Sequence, residues 1–295
     1  MSWTAPDLSD RVAVVTGATR GVGKGVALVL GECGATVYVT GRSTRARGGA
    51  EPNAGPGTVE DSAEAVSAAG GHGIAVATDH TDDAQVAALF ERVAAEHGRL
   101  DLLVANAWGG YEGHGGDTFT APFWEQPLWR WDAMFTAGLR AQFAAARLAA
   151  PLMVGRGAGV IACTGGSDMP GHYLGNVPYD VVKAATDRLV VAMAHELRDH
   201  GVAALGVYPG FTRTEAVMEA FAGAPPPETH SPAFVGRAVA AVLADPAAIE
   251  LSGAGVQAAV LARRYGFADT DGRDVERFVL PDEYRLAPRS PGGDR

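Results

Sequence analysis

One strand, turn and helix pattern near the start of the chain constrains its fold most. The apolar residues 12–15 lead directly into a glycine-rich turn at 16–23, and a helix-forming segment begins at Lys24. Gly17 permits a tight turn, Gly21 lets the backbone approach a bound anion, and Gly23 lets the helix pack against the strand. Amide N–H groups at the start of a helix lack partners within it, so they are available to a ligand. The pattern predicts a cradle for the phosphate groups of a dinucleotide.

Apolar runs separated by turn residues continue this pattern along the chain. They predict seven strands, near residues 12–16, 36–40, 73–78, 101–105, 159–163, 203–208 and 250–256. Each strand lies next to a segment with helical periodicity, which is typical of an α/β fold. We expect a Rossmann-like doubly wound parallel sheet with helices on both faces, and ligands beyond the carboxyl ends of its strands.

The domain organisation follows from the same pattern. We expect a single dinucleotide-binding domain over residues 1–268, with a Gly- and Pro-rich loop at 42–60. An extension at 269–295 follows, and its prolines and glycines predict a partly loose tail.

Charge and composition argue against several kinds of partner. The 295 residues carry a formal net charge of −10, which argues against a nucleic-acid surface. The most apolar stretch, residues 143–154, is interrupted by Arg147 and Pro151 and is shorter than the about 20 residues that span a bilayer. Cys33 and Cys163 form no C-x-x-C pair, so neither a disulfide framework nor a zinc site is predicted. We expect a cytoplasmic protein with no membrane or nucleic-acid partner.

A tyrosine and a lysine four residues apart carry the chemistry. Tyr179 and Lys183 share one face of a predicted helix. A phenol has an ordinary pKa of about 10, which suits a proton donor at neutral pH poorly. An ammonium group one turn away stabilises the phenolate and is expected to lower that pKa. The two could form a surface pair at chance spacing, but the upstream glycine turn favours a catalytic pair.

Four short motifs occur together in the chain. They are T-G-x-x-x-G-x-G at 16–23, Asn106-Ala107, Tyr179-x-x-x-Lys183 and Pro209-Gly210-x-x-x-Thr214. With these motifs, residues 8–260 resemble the short-chain dehydrogenase/reductase superfamily. The segments 176–179, 195–198 and 261–266 are also similar to its dehydrogenase/reductase member 1 branch.

The resemblance implies roles for the catalytic residues. Tyr179 would act as general acid and base, and Lys183 would also hold the nicotinamide ribose. The family places a hydroxyl group that orients the substrate carbonyl upstream of the tyrosine, at the end of a strand. Ser167 fits by its sequence distance from Tyr179, and Thr164 fits by its position directly after the predicted strand. Ser167 is our first choice and Thr164 is the alternative.

The end of the second predicted strand indicates which dinucleotide binds. NAD-binding folds place an acidic residue there, which bonds the ribose and repels a 2′-phosphate. This chain has Gly41 followed by Arg42, with Arg20 in the glycine turn, so guanidinium groups can bind that phosphate. NADP(H) is therefore the expected cofactor. Together with the resemblance, this gives the expected cofactor-binding residues: Gly17, Thr19, Arg20, Gly21, Val22, Gly23, Arg42, Ser43, Asp79, Asn106, Ala107, Tyr179, Lys183, Pro209, Gly210, Phe211, Thr212 and Thr214.

Two of these assignments have alternatives. Asp79 matches the family's contact to adenine, but it could instead cap the helix that follows. Thr214 matches a contact to the nicotinamide carboxamide or the pyrophosphate, and Thr212 could fill that role in its place.

Two positions depart from the family pattern. Gly138 stands seven residues after Trp131, where the family commonly carries an asparagine that supports a proton-relay water. Trp108 adds an indole after Asn106-Ala107, which could narrow the nicotinamide side, stack on substrate or pack in the core. The eight histidines show no metal-ligand spacing, so no metal is expected.

These residues predict an NADPH-dependent oxidoreductase that interconverts a carbonyl and a secondary alcohol. Aromatic residues expected in the walls of the site favour a small apolar substrate; they are Trp108, Tyr111, Phe119, Tyr173 and Phe211. The alternative, motivated by Gly138 and the two candidate hydroxyls, is an NADP(H)-binding sensor or structural protein with little turnover. The resemblance also implies a homodimer or homotetramer that pairs through helices near 131–153 and 178–199.

Overall fold

A seven-stranded parallel sheet forms the centre of the protein. The computed structural model describes residues 3–46, 57–111, 119–166 and 173–280. Its strands are Val12–Val15 (β1), Thr36–Gly41 (β2), His72–Ala77 (β3), Leu102–Ala105 (β4), Gly159–Thr164 (β5), Val202–Tyr208 (β6) and Gly255–Gln257 (β7). They are arranged in the order β3-β2-β1-β4-β5-β6-β7. The order reverses between β1 and β4, and a crevice for ligands opens beyond the carboxyl ends of the strands at such a point.

Helices cover both faces of this sheet. Within the described residues the α-helices are Gly21–Glu32 (α1), Val59–Ala68 (α2), Asp83–His97 (α3), Leu128–Met134 (α4), Ala141–Val154 (α5), Val177–Leu197 (α6), Glu215–Ala220 (α7), Pro232–Ala244 (α8) and Ala258–Tyr265 (α9). Helices α1, α2, α8 and α9 contribute to the apolar core on one face, and α3, α5 and α6 to the core on the other. The predicted doubly wound α/β fold is confirmed. None of the described helices is long and apolar enough to cross a membrane.

Most strands lie where the sequence predicts them. Six of the seven predicted strands agree with the observed ones to within one residue at each end. All residues of β1, β4 and β6 are buried, and strands buried on both faces appear in a sequence as unbroken apolar runs.

The seventh predicted strand, at 250–256, is wrong over its first five residues. Ala248–Leu251 form a short 3₁₀ helix, and β7 begins only at Gly255. The cause is a turn between them, where Gly253 adopts a left-handed φ of 86° that residues other than glycine rarely adopt.

The two long helical segments beside the crevice differ slightly from the predicted ones. The first begins at Leu128 and passes through a π-helical turn at Phe135–Arg140 before α5 begins. The second, α6, is capped by Asn176, whose side chain accepts a hydrogen bond at 3.0 Å from the N–H of Tyr179. This cap fixes where the helix starts and therefore how Tyr179 faces the crevice.

The first part of the C-terminal extension packs against the domain. In this strap, residues 267–280, the buried Asp269 accepts hydrogen bonds from the loop before α8. Phe278 and Gln257 exchange two hydrogen bonds, of 2.8 and 3.0 Å. The rest of the predicted tail, 281–295, lies outside the described residues.

Candidate active site

Close backbone contacts shape the glycine-rich turn between β1 and α1. Gly17 adopts a left-handed φ of 64°. A side chain at Gly23 would collide with the carbonyl oxygen of Gly17 and bring its Cβ to 2.5 Å from Asn106 Nδ2. Asn106 Nδ2 donates to the carbonyl oxygens of Thr16 at 3.0 Å and Gly17 at 3.1 Å, and the N–H of Ala107 donates to Thr16 Oγ1 at 2.9 Å. The structure brings these predicted residues together at the mouth of the crevice.

An acidic side chain reaches the same turn from across the crevice. Glu215, the first residue of α7, accepts a hydrogen bond at 2.8 Å from the N–H of Gly21, the first residue of α1. The start of a helix attracts anions because its amide groups and its dipole present positive charge. Nothing in the sequence pointed to Glu215 except its position directly after Thr214.

Two arginines lie near the end of β2. Arg20 donates to the hydroxyl of Ser43 at 3.4 Å. Burial lowers the pKa of Arg20; the charge of Glu215 opposes this, and the charge of Arg42 adds to it. Gly41, the last residue of β2, itself contributes no acidic side chain at the end of this strand. The structure thus brings Arg20, Arg42 and Ser43 together, as expected for a phosphate site.

The remaining predicted residues of this region are partly structural. Thr19 is buried, and Val22 packs partly against the apolar core. The segment 47–56 of the predicted loop lies outside the described residues.

Asp79 follows β3 and stabilises a turn. Its carboxylate accepts hydrogen bonds from the N–H and the hydroxyl of Thr81, at 2.9 and 2.7 Å. The helix that follows, α3, is capped instead by Asp82, which accepts bonds from two amides of the first helical turn. The capping alternative for Asp79 is therefore wrong, because the chain turns once more before the helix starts.

Tyr179 and Lys183 lie on the first turns of α6 and face the carboxyl end of β5. Lys183 Nζ donates to the carbonyl oxygen of Thr164 at 3.3 Å. The same nitrogen lies 4.2 Å from the centre of a Trp108 ring and 5.4 Å from that of the Tyr179 ring. The ammonium group is thus held between a strand end, an indole and the phenol.

Burial dominates the pKa values of this pair. It lowers the pKa of Lys183 to about 8, against the opposing effects of Asp187 and Cys163. It raises the pKa of Tyr179, against the interaction with Tyr111, which lowers it. The expected net lowering of the Tyr179 pKa by Lys183 is not seen in the protein alone, because desolvation of the phenolate dominates.

The indole of Trp108 lies inside the site. Its ring is 5.5 Å from that of Tyr179 in an edge-to-face arrangement. Gly138, in the π-helical turn, faces this indole, and a Cβ at Gly138 would lie only 2.8 Å from Trp108 Cζ3. The two departures from the family pattern are therefore in contact with each other.

The phenol of Tyr111 extends the aromatic surface formed by Trp108 and Tyr179. The ring of Tyr111 lies 5.6 Å from Trp108, 6.1 Å from Tyr179 and 6.0 Å from Phe119. Burial raises the pKa of Tyr111 well above its ordinary value, and the interaction with Tyr179 adds to this, whereas the interaction with Tyr111 lowers the pKa of Tyr179. Tyr111 was expected only as a wall residue, and no sequence spacing predicts that it lies beside Tyr179. Tyr173, another expected wall residue, is 41% exposed.

One of the two candidate hydroxyls is placed beside this group. Thr164 is the last residue of β5, and its Oγ1 donates to the carbonyl oxygen of Ala105 at 3.4 Å. Ser167 lies outside the described residues. The structure therefore shows Thr164 next to Lys183 and leaves both alternatives open.

The turn after β6, residues 209–214, closes the far side of the crevice. Phe211 packs against Phe278 of the strap, with ring centroids 6.2 Å apart. Thr214 caps α7, accepting a hydrogen bond at 3.3 Å from an amide of that helix. Thr212 is buried, and its hydroxyl has no partner among the described residues. The Thr214 hydroxyl thus already accepts one bond and the Thr212 hydroxyl makes none among the described residues, and both alternatives stay open.

These features fit a nicotinamide dinucleotide. The turn can pack this closely because Gly17 and Gly23 lack side chains, which would meet neighbouring protein atoms. Two arginines lie nearby, and among the described residues the buried hydroxyl of Thr212 has no partner. Residues 3–46, 57–111, 119–166 and 173–280 contain no group of three or more His, Cys, Asp or Glu side chains that could hold a metal.

Known proteins are similar to this chain in sequence. The family model for short chain dehydrogenases matches residues 11–224. Over 287 residues the chain is 38% identical to "Dehydrogenase/reductase SDR family member 1" of Mus musculus, an alignment that covers 92% of this chain and 87% of that protein.

Two solved structures have a similar fold. Hydroxysteroid dehydrogenase from Escherichia coli superposes with a TM-score of 0.67 at 26% identity, covering 85% of this chain and 96% of that one. A complex of 7α-hydroxysteroid dehydrogenase with NADH and 7-oxo glycochenodeoxycholic acid superposes with a TM-score of 0.67 at 25% identity, covering 85% and 93%. Matched in sequence over most of its length and in fold, the chain belongs to the short chain dehydrogenase family of oxidoreductases, which use a nicotinamide cofactor.

Proposed function

We propose that the protein is an NADPH-dependent oxidoreductase that interconverts a carbonyl group and a secondary alcohol on a small apolar substrate. The observation that carries this proposal is the meeting of Tyr179 and Lys183 with the end of β5, at the same edge of the sheet as the glycine-rich turn. A proton donor and a phosphate cradle on one edge are what a carbonyl reductase requires.

Each side chain has a role that follows from its chemistry. Tyr179 gives a proton to the carbonyl oxygen during reduction and takes one from the alcohol during oxidation. With a pKa of about 8, Lys183 is largely protonated at neutral pH, so its charge favours the phenolate formed at Tyr179. The hydroxyl of Ser167, or alternatively of Thr164, orients the carbonyl group. The nicotinamide, when bound, supplies or accepts the hydride.

The residues around the end of β2 support a preference for NADPH over NADH. Arg20, Arg42 and Ser43 would hold the 2′-phosphate, since guanidinium groups bind phosphate oxygens through paired hydrogen bonds. Gly41 brings no carboxylate to repel that phosphate. The glycine turn would hold the pyrophosphate, with Asp79 near the adenine and the 209–214 turn near the nicotinamide.

The walls of the crevice support an apolar substrate. Trp108, Tyr111 and Phe119 form a continuous aromatic surface beside Tyr179, and Phe211 with Phe278 forms another. Aromatic walls with few polar groups favour a ketone on a ring or an alkyl chain.

An apolar groove supports the expected homodimer or homotetramer. It has a volume of about 620 Å³, lies where the π-helical turn and α5 meet α6, and is lined by Phe135, Leu139, Phe143, Leu189 and Ala192 among others. Sedimentation at micromolar concentration should show an oligomer, and a monomer would contradict this part of the proposal. We further propose that the enzyme works in the cytoplasm, since Cys33 and Cys163 are free and buried.

Two variants test the proposal. In a fluorescence titration we expect NADPH to bind more tightly than NADH, and Arg42→Ala to weaken NADPH binding by about tenfold or more while leaving NADH binding nearly unchanged. Arg92→Ala, which removes an exposed arginine on α3, is the matched control. Equal binding of both cofactors by the wild type would contradict the NADPH assignment.

The second variant separates an enzyme from a cofactor-binding sensor. Tyr179→Phe should bind NADPH like the wild type and lose the reduction of ring and alkyl ketones. If the wild type binds NADPH but reduces none of a broad panel of carbonyl compounds, the sensor alternative replaces the enzyme.

A further inference from the structure

Three phenylalanines from distant segments meet beside the turn that follows β6. Phe211 lies in that turn, Phe221 directly follows α7, and Phe278 belongs to the strap. The centre of the Phe211 ring lies 6.1 Å from that of Phe221 and 6.2 Å from that of Phe278. Phe221 is 44% exposed, and the other two are half-buried. These three side chains, the phenylalanine wall, form an apolar surface that folding leaves partly open to a ligand.

The strap brings Phe278 against the turn itself. Gly210 adopts a left-handed φ of 78°, and a Cβ at this position would lie 3.5 Å from the Cβ of Phe278. In the proposed reaction this turn lies near the nicotinamide, and hydride transfer requires the substrate carbonyl to lie beside that ring. The part of a substrate that extends from its carbonyl toward the turn therefore meets the phenylalanine wall.

Two hydrogen bonds fix the backbone of Phe278 at the end of the sheet. Its N–H donates to Gln257 Oε1 at 2.8 Å, and its carbonyl oxygen accepts from Gln257 Nε2 at 3.0 Å. Gln257 is the last residue of β7 and is buried. Breaking hydrogen bonds to a buried amide is costly, so Phe278 is held in place before a substrate arrives.

A buried carboxylate joins the start of the strap to the loop that carries Phe211. Asp269 accepts hydrogen bonds from the N–H of Ser231 at 2.9 Å and from Arg213 Nη2 at 3.2 Å. Arg213 and Ser231 lie near the two ends of the loop between β6 and α8. The strap is thus tied to both ends of this loop, which fixes Phe278 relative to Phe211.

We propose that Phe278 is a specificity-determining residue, which binds the apolar part of the substrate together with Phe211 and Phe221 and favours ring ketones over small ones. This inference rests on the proposed carbonyl reduction. Acetone fills only the space between Tyr179 and the nicotinamide, whereas the second ring of decalone reaches the phenylalanine wall. Contact between that ring and Phe278 removes apolar surface of both from water, which favours binding of the larger ketone.

Equilibrium dialysis of decalone in the presence of NADP⁺ tests the wall without turnover, because a ketone and the oxidised cofactor do not react. Phe278→Ala should raise the Kd of decalone about five- to tenfold. Phe221→Ala, which shortens the same wall outside the strap, should raise it in the same direction. Phe278→Leu, which keeps an apolar side chain, should stay within about twofold of the wild type. Val279→Ala, which changes the neighbouring, 65% exposed side chain, is the matched control and should bind decalone like the wild type.

Kinetics separate substrate selection from a merely structural role. Phe278→Ala should lower kcat/KM for decalone about five- to tenfold through a higher KM, with kcat nearly unchanged. Its kcat/KM for acetone and its Kd for NADPH should match those of the wild type. A strap that only holds the nicotinamide turn in place would instead weaken NADPH binding and lower kcat/KM for both ketones alike.

The two proposals fail in distinguishable ways. If the wild type binds no decalone, or if Phe278→Ala binds it as tightly as the wild type, the role of Phe278 is overturned, whether or not any carbonyl is reduced. Equal losses for decalone and acetone, or weaker NADPH binding, overturn it as well. If the wild type reduces no ketone while Phe278→Ala still weakens decalone binding and leaves NADPH binding intact, the proposed reaction fails and the phenylalanine wall stands.

Discussion

We expect Glu215 to compete with the phosphates of the proposed cofactor for the glycine-rich turn. Its carboxylate accepts a 2.8 Å hydrogen bond from the N–H of Gly21, at the helix start where the pyrophosphate binds in dinucleotide folds. If the proposed NADPH binds there, Glu215 has to give up this bond. The variant Glu215→Gln keeps the size and an acceptor oxygen of the side chain and removes its charge. We therefore expect the variant to bind NADPH more tightly.

The size of the effect follows from two contributions. A hydrogen bond to a charged group contributes about 1.5–3 kcal/mol and a neutral one about 0.5–1.5 kcal/mol, so the amide is about 1 kcal/mol easier to displace. Repulsion between the carboxylate and a phosphate adds less than about 1 kcal/mol, because Glu215 is exposed and water screens it. Together these predict a five- to thirtyfold lower Kd, since about 1.4 kcal/mol corresponds to a factor of ten.

The assay is a fluorescence titration with NADPH at low and high salt. Glu219→Gln, which changes an exposed glutamate one turn further along the same helix, is the matched control and should behave like the wild type. The gain of Glu215→Gln should shrink as salt increases, because screening weakens the repulsion. An unchanged or higher Kd would refute the reasoning and would mean that the carboxylate does not obstruct the phosphates.

Two further predictions concern stability. Gly23→Ala should lower the free energy of unfolding by about 1–3 kcal/mol, since its Cβ would collide with Gly17 and lie 2.5 Å from Asn106 Nδ2. Urea titrations measure this change, and an unchanged midpoint of urea unfolding would show that the turn can relax. His80 is buried with its Nε2 at 2.7 Å from Thr40 Oγ1, and burial lowers its pKa from 6.5 to about 4. Below pH 6.5 the unfolded state binds a proton that the folded state does not, so stability should fall by up to about 3 kcal/mol toward pH 4. His80→Gln should flatten that pH dependence, and a variant with the same slope as the wild type would contradict it.

The fold could be predicted because its signals are local. Each buried parallel strand is a run of neighbouring apolar residues, and each turn carries its own glycines, so the order of elements follows from the sequence. The seventh strand failed where one residue decides the geometry: Gly253 turns the chain in the left-handed region, and its neighbours are apolar enough to suggest a strand. Asp79 and Asp82 show a similar limit of prediction from local sequence signals. Both could cap α3, and only the path of the chain decides that Asp82 does.

The contacts between distant segments could not be predicted in this way. Tyr111 and Tyr179 lie on separate elements, and no spacing along the chain predicts that their rings lie 6.1 Å apart. Glu215 and Gly21 are 194 positions apart, and each has an ordinary local reason to stand where it does. An acidic residue in a first helical turn and a glycine in a tight turn are both common. They become partners only because the fold brings the start of α7 next to the start of α1.

Gly138 and Trp108 show how two such positions depend on each other. Taken singly, Gly138 is the loss of a family asparagine and Trp108 is the gain of an indole. In the structure a side chain at Gly138 would place its Cβ 2.8 Å from Trp108 Cζ3, so the indole can occupy this space only if position 138 has no side chain. The same indole lies against the Lys183 ammonium group, where it stabilises the charge through a cation–π contact and excludes water. Gly138 and Trp108 therefore act as one change, because a variant that adds a side chain at position 138 must displace the indole from the Lys183 ammonium group.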